Sequence, residues 1–336
     1  MKNNPASDPL LDLPIDQYSR QQWARLFVET LRPSTTKQHL KVLDVGGYKG
    51  KTKEFFPTDN VVVCDLFDVK EPGYVKGDGR SLPFADNEFD FVVSFDTYEH
   101  VTRAGRKQFM KELIRVARVG VILAAPFDNP THEVLEAEKS LNRYYQDLYD
   151  KEHPWLPEHI AYQTPQQAEI ESLLRSLKTD FVSLPSNDLG LWTVIQSVYF
   201  SIELDEDLRG RVDDINRFYN RHLPEVDGTN GTSYRRIYYI SNDQRDLSVI
   251  SKFTAKNKPS DQVRNQCMAL VMSIFGKKYR DIARHRDYLD AEVANYKQQN
   301  AEIRENLESV IAALQQELDK PLRRKLLERL KKYAHR

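Results

Sequence analysis

Five short apolar runs, each closed by a polar or glycine-rich break, pattern the first half of the chain: Lys41–Val45, Val61–Cys64, Tyr74–Lys76, Phe89–Phe95 and Val119–Ala125. They are continuously apolar rather than alternating, which predicts strands buried on both faces of a parallel sheet. Right-handed crossovers then place helices on both sides of it. Residues Ala104–Arg118 carry Phe109, Leu113 and Val116 at helical spacing. Ser19–Leu31, with Trp23, Leu26, Phe27 and Leu31, predicts an amphipathic helix that ends at Pro33.

The pattern breaks after Pro126. Residues 127–163 are rich in His, Pro, Tyr and Trp and read as an insertion over the edge of the sheet. Helix is predicted for Pro165–Leu177 and for most of 189–222, and Phe181–Leu184 with Arg236–Ile240 predict a closing antiparallel hairpin. Proline and charge near 255–262 mark a boundary, and from about residue 263 the chain is almost wholly helix-compatible. The expected organisation is an α/β domain over 1–258 with a lid at 127–163, a helical region over 263–320, and a basic amphipathic helix over 321–336.

A length of 336 residues suits one large domain with an appendage. The net charge of −1 gives no whole-chain field for nucleic acid, so none is expected as a partner. The two cysteines, Cys64 and Cys267, form no CxxC pair, and Cys64 inside an apolar run reads as a buried free thiol. The first 16 residues lack the apolar core of a signal peptide, and no apolar stretch reaches the ~18 residues of a membrane span. A cytoplasmic protein is expected.

Chemistry concentrates where the runs end. Val42-Leu43-Asp44-Val45-Gly46-Gly47-Tyr48-Lys49-Gly50 is a strand that delivers an acid into a glycine-rich turn, and glycines serve where the backbone turns tightly and a ligand comes close. Asp65 ends the next run 21 residues later, a spacing at which a carboxylate can accept both hydroxyls of a ribose. Asp78 lies in Gly77-Asp78-Gly79, after the third run. The turn reads GGxxG rather than the dinucleotide pattern GxGxxG, and Asp44 would repel a pyrophosphate.

Over roughly residues 40–165 the sequence resembles the class I (type 11-like) methyltransferases that use S-adenosylmethionine (SAM), in particular those acting on small molecules and glycans. The resemblance implies a Rossmann-like seven-stranded sheet. It further implies a SAM site in which Asp44, Gly46, Gly47 and Gly50 form the loop, Asp65 with Leu66 takes the ribose, Asp78 with Gly79 takes the adenine amino group, and Asp96 completes the wall. The run Leu82-Pro83-Phe84-Ala85-Asp86-Asn87-Glu88-Phe89-Asp90 is typical of the family. Gly47-Tyr48 departs from it, since many members alternate a third glycine there. A cationic sulfonium and ammonium, unlike a pyrophosphate, are compatible with Asp44.

The fourth run leads into Asp96-Thr97-Tyr98-Glu99-His100. Three roles stay open for His100: packing under the cofactor, general base, or metal ligand. The D-x-x-E-H spacing is similar to the E-x-x-E-H divalent-metal site of some O-methyltransferases. That similarity implies Asp96, Glu99 and His100 as ligands, His132 as a fourth, and Mg²⁺ or a related ion. Tyr144, Tyr145, His153, Trp155, His159 and Tyr162 in the insertion offer aromatic faces with polar tips that suit sugar rings, or an ordinary aromatic lid. The segment from Asp150 to Ile160 resembles one in methyltransferases of bacterial surface-polysaccharide synthesis. Tyr18 and Arg20, ahead of the first helix's apolar face, are placed as candidates for the methionine carboxylate.

Leu289, Val293, Tyr296, Asn300, Ile303, Leu307, Val310 and Leu314 repeat with 4-3 spacing, so a coiled coil over 289–318 is expected to join copies of the chain. Glu292 and Lys297 fall where they can pair across a parallel dimer. Pro321 closes the coil, and residues 320–336 hold eight Lys/Arg and one acid, with Leu322, Leu326, Leu327, Leu330 and Tyr333 on one face. Such a helix suits the inner face of a membrane or an acidic protein partner, and a solvated helix end is the plain alternative. By resemblance that partner is a glycosyltransferase and the reaction is O-methylation of a sugar hydroxyl on a surface glycan. A small aromatic or quinone acceptor, and a non-catalytic scaffold subunit, are the competing readings.

Overall fold

The computed structural model describes residues 8–202, 204, 208–229, 231–317 and 320–334. All seven expected strands form: β1 (Lys41–Val45), β2 (Asn60–Asp65), β3 (Tyr74–Lys76), β4 (Phe89–Phe95), β5 (Ala117–Pro126), β6 (Asp180–Asp188) and β7 (Ser233–Ser241). They make one sheet in the order β3-β2-β1-β4-β5-β7-β6. The first five are parallel, and β7 runs antiparallel between β5 and β6. This is the Rossmann-like seven-stranded sheet that the resemblance implies. Register matters for function: Val45 lies opposite Cys64, and Asp65 opposite Lys76. The polar residues that end β1, β2 and β4 therefore emerge along one edge.

The described helices are α1 (Ile15–Thr35), α2 (Thr52–Phe55), α3 (Arg103–Val116), α4 (Glu133–Tyr149), α5 (Leu156–Tyr162), α6 (Gln167–Ser176), α7 (Leu189–Ile202), α8 (Arg209–Arg221), α9 (Leu223–Val226), α10 (Gln244–Lys256), α11 (Asp261–Glu317) and α12 (Lys320–Ala334). One face of the sheet packs on α3 and α6 through Phe109, Leu113, Val116, Ile170 and Leu174, with Cys64 in the same core. On the other side Phe27 of α1 meets Tyr239 of β7 edge-on, the ring centroids being 6.3 Å apart. Burial pushes the Cys64 thiol up to about 12, as an unreactive core cysteine requires.

One expectation needs correction: Pro33 does not end α1, which continues to Thr35. In a last turn a proline forfeits one backbone hydrogen bond, and the helix stops only where Thr36 turns left-handed, φ 57°. The insertion is largely helical, since it contains α4 and α5. Val134, Glu138, Leu141 and Tyr145 form the buried face of α4. The glutamate at the centre of that face hid its amphipathic period.

The chain divides into two compact units, 1–272 and 273–336. In the second, the expected heptad seam begins earlier than Leu289. Because α11 is unbroken, Phe275, Tyr279 and Ile282 continue the same 4-3 spacing, and they are exposed, as are Leu289, Val293, Tyr296, Ile303 and Val310. Residue 318 and the last two residues of the basic segment lie outside the described residues. Leu322 and Leu326 of α12 are exposed, and among the described residues no helix is long and apolar enough to cross a membrane.

Candidate active site

Two cavities open along the carboxyl edge of the sheet. The first, about 520 Å³, is walled by Val45, Gly46, Tyr48, Asp65, Leu66, Phe67, Asp78, Gly79, Val101 and Phe109, among others. The second, about 440 Å³, is walled by Arg20, Glu99, His153, Leu156, His159, Trp192, Tyr234 and Arg235, among others. Gly46, Tyr48, Asp96, His100 and Trp155 belong to both walls, so these residues mark the junction. A third cavity, about 580 Å³, lies by Arg118, Val119, Ser241 and Asp243, near the other ends of β5 and β7, and includes none of the predicted site residues.

The first cavity has the lining an adenosyl group needs. Asp65 accepts the backbone N–H groups of Tyr48 (3.0 Å) and Leu66 (2.6 Å), which fixes its carboxylate at the tip of β2 while leaving further lone pairs for ligand hydroxyls. Asp78 is held by Arg80, Nη2 to Oδ2 2.7 Å, and this pairing keeps its carboxyl below the usual range. The Tyr48 and Phe67 rings lie 4.8 Å apart and, with Leu66, give an exposed apolar rim.

Gly46 turns with φ +83°, and a Cβ there would fall 2.2 Å from Thr97 Oγ1. A Cβ on Gly47 would strike the Asp44 carboxylate at 2.1 Å. Asp44 therefore sits directly beneath the glycine turn and not on either cavity wall. It is 1% exposed. Thr52 donates to its Oδ2, while Oδ1 has no hydrogen-bond partner among the described residues. Burial raises its pKa to about 6, against the opposing pull of the Thr52 hydrogen bond and Arg20. An unsatisfied buried anion under the loop is what a cationic sulfonium and ammonium at Gly46 would relieve, so the residues fit SAM.

The four residues expected as metal ligands do not come together. Asp96 is engaged by two arginines: Arg20 Nη1 donates to it, and so does Arg235, from Nε at 2.7 Å and Nη2 at 2.6 Å. His132 turns to its own neighbour, with Nδ1 2.7 Å from Asp128 Oδ2. It occupies the residue before α4, outside both cavities, while Asp128 accepts free N–H groups in the first turn of that helix. Glu99 and His100 instead meet His159, from α5. His100 Nε2 lies 3.2 Å from His159 Nε2, and His100 Nδ1 lies 3.2 Å from Glu158 Oε2. His159 Nδ1 is 2.9 Å from Glu138 Oε1. Burial and the neighbouring His159 hold the His100 pKa down; burial also opposes charge on His159, but Glu138 and the nearby acids outweigh it and raise His159.

Sequence spacing could not reach Arg235, 139 residues from Asp96, or the His159–Glu138 pair. The aromatic residues of the second cavity were foreseen only in part: Trp155 and His153 line it, as does the Trp192–Tyr234 stack (ring centroids 3.5 Å apart), which had no local signal. Arg20 does reach the junction, but its guanidinium lies against Asp96.

Residues 57–125 match the family model described as a methyltransferase domain. Together with the strand order, this match supports a SAM-dependent methyltransferase of class I. Among curated proteins, the ubiquinone/menaquinone biosynthesis C-methyltransferase UbiE of Pseudomonas fluorescens is 30% identical over 134 residues, covering 34% of this chain and 50% of that protein. The chain thus spans half the length of the curated relative it matches. Among solved structures, YcgJ of Bacillus subtilis is similar at 15% identity over 65% of this chain and 98% of that one, with a TM-score of 0.38. The plantazolicin methyltransferase BpumL, solved with a triazolic desmethylPZN analog and SAH, is similar at 8% identity over 68% and 86%, with a TM-score of 0.42.

Proposed function

We propose that the chain transfers the methyl group of SAM to a hydroxyl of a sugar in a bacterial surface glycan. The observation that carries the reading is the pair of cavities meeting at Gly46, Asp96 and His100. The first takes the adenosyl group, and the second takes the acceptor. Transfer forms an O–CH₃ bond as the S–CH₃ bond breaks, its electron pair staying on sulfur, which leaves the neutral thioether. Most of the rate comes from alignment and from exclusion of water. The hydroxyl must also lose its proton, and His100 at the junction serves that step either as base or as ligand of an acidifying cation.

Aromatic faces interleaved with polar groups in the second cavity, Trp155, Trp192, Tyr234 and Arg235, support a sugar. The UbiE match supports a second reading, a quinone-type acceptor. The basic helix α12 supports attachment of the enzyme to the cytoplasmic face of a membrane, or to an acidic partner such as a sugar transferase. The exposed seam of α11 supports a parallel homodimer.

Calorimetry tests the donor. SAM binds the wild type, and Asp65→Ala binds it about 10- to 100-fold more weakly, the value of one to two charged hydrogen bonds. No binding by the wild type, or equal binding by the variant, overturns the reading. Radiolabelled SAM tests the acceptor: label in the saccharide supports the glycan, and label in an extracted quinone replaces it.

A further inference from the structure

Glu99 is buried to 1% exposure in the turn after β4, yet among the described residues no side chain and no other residue's backbone donates to either of its oxygens. An isolated carboxylate in that position is disfavoured by desolvation, and protonating it leaves an O–H that also lacks an acceptor. The residues facing it are His100 and His159, and one donor atom from each of the three lies within 4.8 Å of the others.

Both imidazoles are already oriented. Glu158 holds Nδ1 of His100, and Glu138 holds Nδ1 of His159, so both Nε2 atoms are turned inward, 3.2 Å apart. That is the edge expected between two imidazoles bound at about 2.1 Å to one ion. Carboxylates on the outer nitrogens of histidines are the usual support of metal ligands. Glu138 is itself fixed by Tyr234 Oη and Thr164 Oγ1, each at 3.0 Å, and is fully buried.

We propose that Glu99, His100 and His159 bind one divalent cation, with Glu138 and Glu158 as the positioning residues. Two nitrogens and one carboxylate select Zn²⁺, Co²⁺ or a similar borderline ion rather than Mg²⁺. The site faces the second cavity, whose wall includes all three residues. Three protein ligands leave room for an acceptor oxygen. There a cation lowers the pKa of a coordinated hydroxyl, and the proton is released to solvent because both Nε2 lone pairs are occupied. Metal binding itself does not depend on the glycan reading.

The test uses the full chain, stripped with chelator and titrated with Co²⁺ and Zn²⁺ separately. Calorimetry and elemental analysis should give one equivalent per chain, and Co²⁺ should develop the visible absorption of a nitrogen-containing low-symmetry site. His159→Ala and Glu99→Gln should bind at least about 100-fold more weakly, and Glu138→Gln about 10- to 100-fold. His132→Ala should bind as the wild type does. SAM affinity, measured without metal on each variant, should stay within about twofold, which reports folding and separates this proposal from the donor assignment. A wild type that takes up no stoichiometric ion, or a His159→Ala variant with undiminished uptake, overturns the proposal. Equal loss in His132→Ala overturns it as well, by placing the ion elsewhere.

Discussion

Replacing Asp44 by asparagine should make the cofactor-free protein more stable at neutral pH and a poorer SAM binder. The carboxyl titrates at about 6 when folded, against 3.8 as its ordinary value. A group whose pKa is raised by folding stabilises the protein fully below its unfolded pKa and loses that contribution as pH rises through the folded one. At pH 7 the wild type therefore carries a penalty of about 3 kcal/mol from this one ionised group. Asparagine keeps the shape and the acceptor for Thr52 and carries no charge. Thermal unfolding of the cofactor-free chain should show the variant several degrees more stable at pH 7, the difference shrinking as pH falls towards 4. SAM affinity should fall by about tenfold, because the charge under Gly46 and Gly47 no longer faces a cation. A variant less stable than the wild type at pH 7, or one that binds SAM equally well, would show that Asp44 only props the loop.

The second large effect concerns assembly. Val293→Glu with Leu307→Glu should abolish the self-association proposed for the wild-type chain, which is expected to sediment as a dimer. Both residues sit at a positions of the seam, alongside the polar Asn300, which favours a two-stranded register. In a parallel pair each introduced carboxylate faces its own copy in an apolar layer, at a cost of several kcal/mol per layer on a rough scale. Gln298→Glu, on the outer face of the same helix, adds a negative charge without entering the seam and should leave the dimer intact. Sedimentation equilibrium reads the outcome. A monomeric wild type, or a double variant that still pairs, sinks the parallel coiled coil.

Particular residues show how far the sequence reached. Asp65, Asp78 and Asp96 all came to line cavities, because each ends a strand or follows one, and parallel strands in register deliver their ends to one edge. Asp44 lies one residue before the end of its strand, and its carboxylate sits beneath the turn rather than in the cleft. That distinction depends on which way a side chain leaves a strand end, and on how close Gly47 packs. His132 matched a ligand in type and in distance along the chain, but Asp128, four residues earlier, captured it first.

From the amino-acid order alone came the strands, their approximate ends, the glycine turn and the heptad of the tail, all governed by periodicity and backbone preference over a few neighbouring residues. The folded chain alone decided that Arg235 clamps Asp96 and that His159, carried on α5, completes the cluster with Glu99 and His100. Those pairings join residues 59 and 139 positions apart. Direct contacts of that range are set by how helices and strands pack, and no local pattern encodes them.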